Sequence, residues 1–265
     1  MTSAPRGPAA PPAARAVAEA LIGVPGVRAV LLGGSAATGG ADAHSDLDCY
    51  ALVAGSLPHY GERARALGRV ADGGDVVEQT TWGPEDHLAV GGRPVEVVYL
   101  DLAGLGIEAC YDLGANPNGY TTAFLHTLDA GVPLADPHGD LAALRDRLRL
   151  YPEATRERIA AQAPGELEAY LAQLRTAQAR ADWTAVTHRR AAFQATWFDL
   201  LFALNRRYHP GEKRLLAHLA GKLTRVRAQP ADREAKLPGR YMRGRDGVGR
   251  VAEDEDALAR QVGGV

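Results

Sequence analysis

The sequence predicts an α+β chain, with a mixed sheet and its helices in the N-terminal part and a helical bundle behind it. Three observations carry this. In the first hundred residues, apolar β-branched runs such as Val27 to Leu32 and Asp46 to Val53 alternate with glycine and proline punctuation, giving four or five strands. Beyond Leu102 the apolar residues recur at helical spacing: Leu167, Tyr170, Leu171 and Leu174, then Phe193, Trp197, Leu200, Leu201 and Leu204. Between the first two strands lies Gly33-Gly34-Ser35, a loop of small residues, and then Asp46-Leu47-Asp48.

In chain order, residues 1–13 are rich in proline and alanine and lack the apolar core of a secretory signal, so a disordered lead-in is expected. Ala14 to Ile22 reads as a helix with Val17, Ala20 and Leu21 on one face, broken by Pro25-Gly26. Val27 to Leu32 is a strand. A helical turn starts near Ser35 and ends at Gly39-Gly40, and Asp46 to Val53 returns as the second strand. Tyr60 to Ala71 reads as a helix and Asp75 to Trp82 as a third strand. His87 to Val90 and Pro94 to Leu100 flank Gly91-Gly92-Arg93, a hairpin signal. The expected domains are 14–105 for the sheet, 106–228 for the helices and 229–265 for a polar, loosely ordered tail. Pro152 and Pro164 read as helix starts, and a helix is expected from Glu212 to Leu223 after Pro210-Gly211.

Composition narrows the function classes. The chain has 265 residues, 46% of them hydrophobic, enough for a proper core. A net charge of −2 provides no global basic field for nucleic acid, although Arg145, Arg147 and Arg149, and Arg240 to Arg250, form local basic clusters. The two cysteines, Cys49 and Cys110, sit in apolar contexts and read as buried thiols, not as a disulfide or zinc framework. No run of apolar residues is long enough for a membrane span, so a cytoplasmic protein, monomer or homodimer, is expected.

The residues around the second strand carry the chemistry. Side chains of a strand alternate, so Asp46 and Asp48 share a face while Leu47 points into the core. Two carboxylates about 6–7 Å apart along a strand can share a divalent ion, and oxygen ligands suit Mg²⁺. A nearby Gly-Ser turn offers backbone N–H groups to phosphate. Taken separately, each feature has a plainer reading: a solvated acidic strand face, an ordinary turn, a helix N-cap at Ser35. Glu96 is a lone acid in the apolar run Val95 to Val98. A charge there is costly unless a metal or substrate partners it. Glu78 is a rival acid, and Asp101 reads as a helix cap. Asp42, His44 and Ser45 read as loop residues.

Together, Gly34-Ser35, ten intervening residues and Asp46-Leu47-Asp48 resemble the signature of the DNA polymerase beta-like nucleotidyltransferase superfamily. The wording Gly-Ser-Ala-x-x-Gly-Gly-x-x-x-x-Ser-Asp-Leu-Asp is similar to that of the aminoglycoside and lincosamide nucleotidyltransferases and of related uncharacterised bacterial proteins. Gly92 to Leu102 and Leu204 to Lys213 look like the latter group too. The resemblance implies a magnesium-dependent nucleotidyltransferase. Asp46 and Asp48 would hold one or two Mg²⁺, and Gly33, Gly34 and Ser35 would bind the phosphates of ATP or another nucleoside triphosphate. Glu96 would be the third carboxylate, as general base, metal ligand or both. The family's helical domain supplies a lysine to the triphosphate, and Lys213 is the candidate. It stands in the first turn of an expected helix, where a cation opposes the helix dipole unless an anion bridges the two. Arg206, Arg207 and Arg214 are alternatives. Tyr208 and Trp82 are candidate stacking rings whose plainer reading is core packing, the reading also given to Phe193 and Trp197.

The expected partners are a nucleoside triphosphate and a small-molecule hydroxyl acceptor, with antibiotic modification implied by resemblance alone. Nucleotidyl transfer to tRNA or protein, and non-catalytic nucleotide binding, are the competing readings.

Overall fold

The computed structural model describes residues 10–39, 41, 45–80, 83–102 and 123–211, together with 213, 215 and 218. The lead-in up to residue 9, Asp42, His44, Trp82, Cys110, Arg214, most of the helix expected after Pro210 and the whole tail lie outside the described residues. The chain divides into two compact units, one running to Tyr151 apart from residues 116–120, the other comprising those five residues and everything from Pro152 onward.

The first unit is a mixed six-stranded sheet in the order β3-β4-β5-β2-β1-β6. Its strands are β1 (Val27–Leu32), β2 (Leu47–Val53), β3 (Val76–Gln79), β4 (Glu85–Val90), β5 (Arg93–Asp101) and β6 (Val132–Ala135). All neighbours run antiparallel except β2 and β5, which are parallel and pair Asp48 with Glu96. A parallel pair needs a long crossover. Here α3 (Tyr60–Leu67) and the β3–β4 hairpin supply it.

Alternation along the strands gives the sheet two faces. Leu47, Cys49, Ala51 and Val53 of β2 and Val95, Val97 and Tyr99 of β5 point to the back. There they pack with Ala14, Val17, Ala18 and Leu21 of α1 (Pro12–Leu21) and with Leu67 of α3. The α1 stripe thus uses Ala14 and Ala18, with Ala20 at its border. Burying a leucine such as Leu21 or Leu47 contributes about 1.5–3 kcal/mol.

Also on the back lies a charged group that the sequence reading passed over. Arg63 of α3 is 1% exposed and donates from Nε and Nη2 to the two carboxylate oxygens of Asp86, at 2.9 and 3.0 Å. Nη1 donates to the Pro58 carbonyl at 2.9 Å, and the Tyr99 hydroxyl donates to Asp86 at 2.7 Å. Burial works against the guanidinium's charge, but its hydrogen bonds to Asp86 and Glu78 outweigh burial and hold the proton more firmly than in free arginine. This network ties α3 to β4 and β5.

The expected hairpin is present. Gly91 and Gly92 both take positive φ, +60° and +75°, as a tight two-residue turn requires. Asp72 accepts hydrogen bonds from both of their N–H groups, at 2.9 and 2.7 Å, and these bonds hold its carboxyl below the usual aspartate range.

The sheet does not end at the expected boundary near residue 105. After α4 (Ala123–Ala130), β6 pairs with β1, and α5 (Asp140–Leu148) follows. Arg28 of β1 meets Asp140 at 2.8 Å, and Arg145 donates to the carbonyls of Leu128 and Gly131, fastening α5 to the end of α4. The sequence Val-Pro-Leu-Ala is too short, and too interrupted by proline, to read as a strand on its own.

In the second unit, α6 (Glu153–Ala179) and α7 (Trp183–Leu204) pack together as a helical hairpin. The buried apolar residues of α6 are Ile159, Ala163, Leu167 and Ala177. Of the expected stripe, Leu167 is buried while Tyr170, Leu171 and Leu174 are half-buried. Asp182 caps α7 by accepting from the Ala185 N–H at 3.1 Å. Pro164 does not start a helix. It lies inside α6, which continues through it despite the lost backbone donor. Glu153 binds both Arg156 and Arg206, so its carboxyl is held below the usual range.

Candidate metal and phosphate site

β1 runs straight into the Gly33-Gly34-Ser35 turn. The Gly33 N–H donates to the Asp48 carbonyl at 2.8 Å, extending the β1–β2 ladder by one residue. Gly34 takes φ +57° and opens the short helix α2 (Gly34–Thr38), which Gly39 ends at φ +75°. Gly33, not Ser35, occupies the N-cap position, so Ser35 is half-buried inside the first helical turn and does not act as the cap.

On the front face of the sheet the acidic residues converge. Asp46 precedes β2 by one residue, Asp48 is its second residue, and Leu47 between them is fully buried. Parallel pairing sets Glu96 of β5 beside Asp48. One carboxylate oxygen from each of Asp46, Asp48 and Glu96 lies within 4.8 Å of the other two, and all three side chains are half-buried. Three carboxylates this close repel one another unless a cation or protons intervene. A donor set of oxygens alone suits a hard divalent ion such as Mg²⁺ or Mn²⁺.

The same face carries residues that the sequence reading did not single out. β4 places His87 opposite Glu96, with Nδ1 3.9 Å from Oε1, and His87 Nε2 lies 3.2 Å from Glu85 Oε2. Glu85 and His87 alternate with the buried Asp86 and Leu88, so the period was in the sequence, but the register against β5 was not. Tyr50, two residues after Asp48, is on this face too. Burial, and then the Asp48 charge, push its phenol above the ordinary tyrosine range. Cys49 points to the back as a buried thiol, pushed up to about 12 by burial and then by Asp48.

The other candidates fall elsewhere. Glu78 pairs in register with Asp86 and reaches Arg63 at 2.6 Å, which takes it out of the acidic group. Asp101 ends β5, five residues past Glu96, and the helix it was expected to cap is outside the described residues. The Ser45 carbonyl accepts from Arg93 at 3.2 Å. Lys213 belongs to the second unit and is exposed in a turn. Arg206 is engaged with Glu153 and Arg207 is exposed. Tyr208 is buried, in keeping with core packing, as is Trp197. Next to Tyr208, the buried His209 meets the Phe202 ring edge-on, with 4.9 Å between centroids. Among the described residues no helix is long and apolar enough to cross a membrane.

A family model described as a domain of unknown function (DUF4037) matches residues 120–215, which leaves Asp46, Asp48 and Glu96 outside it. Among solved structures, the chain is similar to a nucleotidyltransferase-like protein from Exiguobacterium sibiricum 255-15, at 12% identity and a TM-score of 0.41. The similarity covers 79% of this chain and 62% of that one, so the chain spans less than two thirds of the length of the protein it matches. No curated protein matches the chain.

Proposed function

We propose that the chain is a metal-dependent nucleotidyltransferase that moves a nucleoside monophosphate, AMP from ATP, onto a hydroxyl of a small molecule. The observation that carries the proposal is the meeting within 4.8 Å of Asp46 and Asp48, at the start of the strand that the Gly33-Gly34-Ser35 turn abuts, with Glu96 of the neighbouring strand. The sequence spacing of Gly34-Ser35, ten residues and Asp46-Leu47-Asp48, which resembles the polymerase beta-like signature, supports the same reading.

In this reading Asp46 and Asp48 hold Mg²⁺, which when bound supplies charge neutralisation at the α-phosphate. The turn binds the phosphates through its backbone N–H groups and the Ser35 hydroxyl. The acceptor oxygen forms a bond to the α-phosphorus, the bond to the β-phosphate oxygen breaks, and pyrophosphate leaves. Glu96 takes the acceptor's proton, also contributes to metal binding, and must lie within hydrogen-bond reach of that hydroxyl. Rate enhancement comes mostly from positioning and charge neutralisation. Aminoglycoside- and lincosamide-like compounds are the first acceptors to try, on the strength of the motif wording alone.

The test is transfer of label from α-labelled ATP, with Mg²⁺, to a panel of hydroxyl compounds, total tRNA and the protein itself. Label on a small molecule, abolished in Asp48→Asn, supports the proposal. Activity that survives Asp48→Asn removes it, and label on tRNA or protein replaces the acceptor class.

A further inference from the structure

The backbone of Gly33 is extended, with φ −111° and ψ −154°, a conformation open to any residue. Its identity as glycine must therefore come from space. A Cβ at Gly33 would lie 2.4 Å from Cε2 and 2.9 Å from Cδ2 of Tyr50, and 2.9 Å from Cγ2 of Thr127 on α4. The Tyr50 ring rests directly on the Gly33 backbone, and its phenol is hydrogen-bonded to Thr127 behind it. One residue further on, the bare Cα of Gly34 meets the carboxylate of Asp48 in the same way. Two side chains of one strand, two residues apart and on one face, thus set the position of two successive glycines.

We propose that Tyr50 is a positioning residue: its ring, held between Gly33 and Thr127, sets the Gly33-Gly34-Ser35 turn against Asp48, so that the turn and the carboxylates address one polyphosphate. The inference rests on the nucleotidyltransferase reading. Tyr50 itself touches no substrate; it acts through the turn. The carboxylates are held independently of it, because the β2–β5 ladder pairs Asp48 with Glu96.

The proposal separates two affinities. Removing the ring releases the turn but leaves the carboxylates in place. In Tyr50→Ala, binding of a non-hydrolysable ATP analogue with Mn²⁺ falls on the order of tenfold, as losses of supporting contacts do. Binding of Mn²⁺ alone is unchanged. Tyr50→Phe, which keeps the ring, binds the analogue close to the wild-type level. Thermal unfolding and circular dichroism identify folded variants, and Tyr50→Leu replaces Tyr50→Ala if the latter does not fold. Unchanged analogue binding in the ring-less variant overturns the proposal, as does an equal loss of Mn²⁺ alone or a failure of Tyr50→Phe to bind. Wild-type protein that binds Mn²⁺ but no nucleoside triphosphate analogue refutes the functional reading, and this inference with it.

Discussion

The carboxylate of Asp48 fills the space a side chain at Gly34 would need: a Cβ there would lie 1.7 Å from Asp48 Oδ2. Gly34 also takes φ +57°, which costs other residues about 1–2 kcal/mol. A side chain added at Gly34 would therefore displace the Asp48 carboxylate, although the β2–β5 ladder holds that carboxylate without help from the turn. Gly34→Ala is expected to destabilise the fold by at least that backbone cost and to push the Asp48 carboxylate aside. Thermal unfolding and Mn²⁺ titration of this variant check both effects, and weakened Mn²⁺ binding is the expected result.

The Arg63–Asp86 pair makes a prediction about stability alone. Removing one partner strands a charge in the core, at a typical cost of about 3–5 kcal/mol. Arg63→Met, which leaves the buried Asp86 carboxylate without its cation, is expected to lower the denaturation midpoint sharply in urea. Replacing the surface residue Arg149, whose partner Asp146 is largely exposed, should shift it by less than about 1 kcal/mol.

Asp72 gives a pH-dependent prediction. The N–H groups of Gly92 and Gly91 lower its folded pKa. A depressed carboxyl contributes stability that is fully present above its unfolded pKa of about 3.9 and is lost as pH falls through the lower folded value. The stability gap between wild type and Asp72→Ala is therefore expected to be constant from neutral pH to mildly acidic pH and to close below about pH 3.9. Urea titrations along that range measure it.

How much of this was legible in the sequence follows from which forces are local. Asp46-Leu47-Asp48 declared its face through strand alternation, and Gly91-Gly92 declared its turn through the backbone freedom of glycine. Glu96 was visible because a charge in an apolar strand needs a reason. The partners of these residues were not visible. His87 comes to Glu96, and Tyr50 to Gly33, through strand register and packing between distant segments, which no local pattern encodes. Arg63 looked like one more surface arginine in an arginine-rich chain, and only the fold buries it on Asp86. β6 is four residues long and is a strand only because β1 is there to pair with it.

The central claim is that Asp46, Asp48 and Glu96 hold a divalent ion against a nucleotide lying on the Gly33-Gly34-Ser35 turn. A crystal soaked with Mn²⁺ and a non-hydrolysable ATP analogue tests it most directly. The account predicts an anomalous peak bonded to oxygens of Asp46 and Asp48, at roughly 2.0–2.3 Å, with phosphate oxygens completing its shell and touching the turn. Mn²⁺ bound elsewhere, or a nucleotide whose phosphates lie away from Gly34 and Ser35, would contradict it.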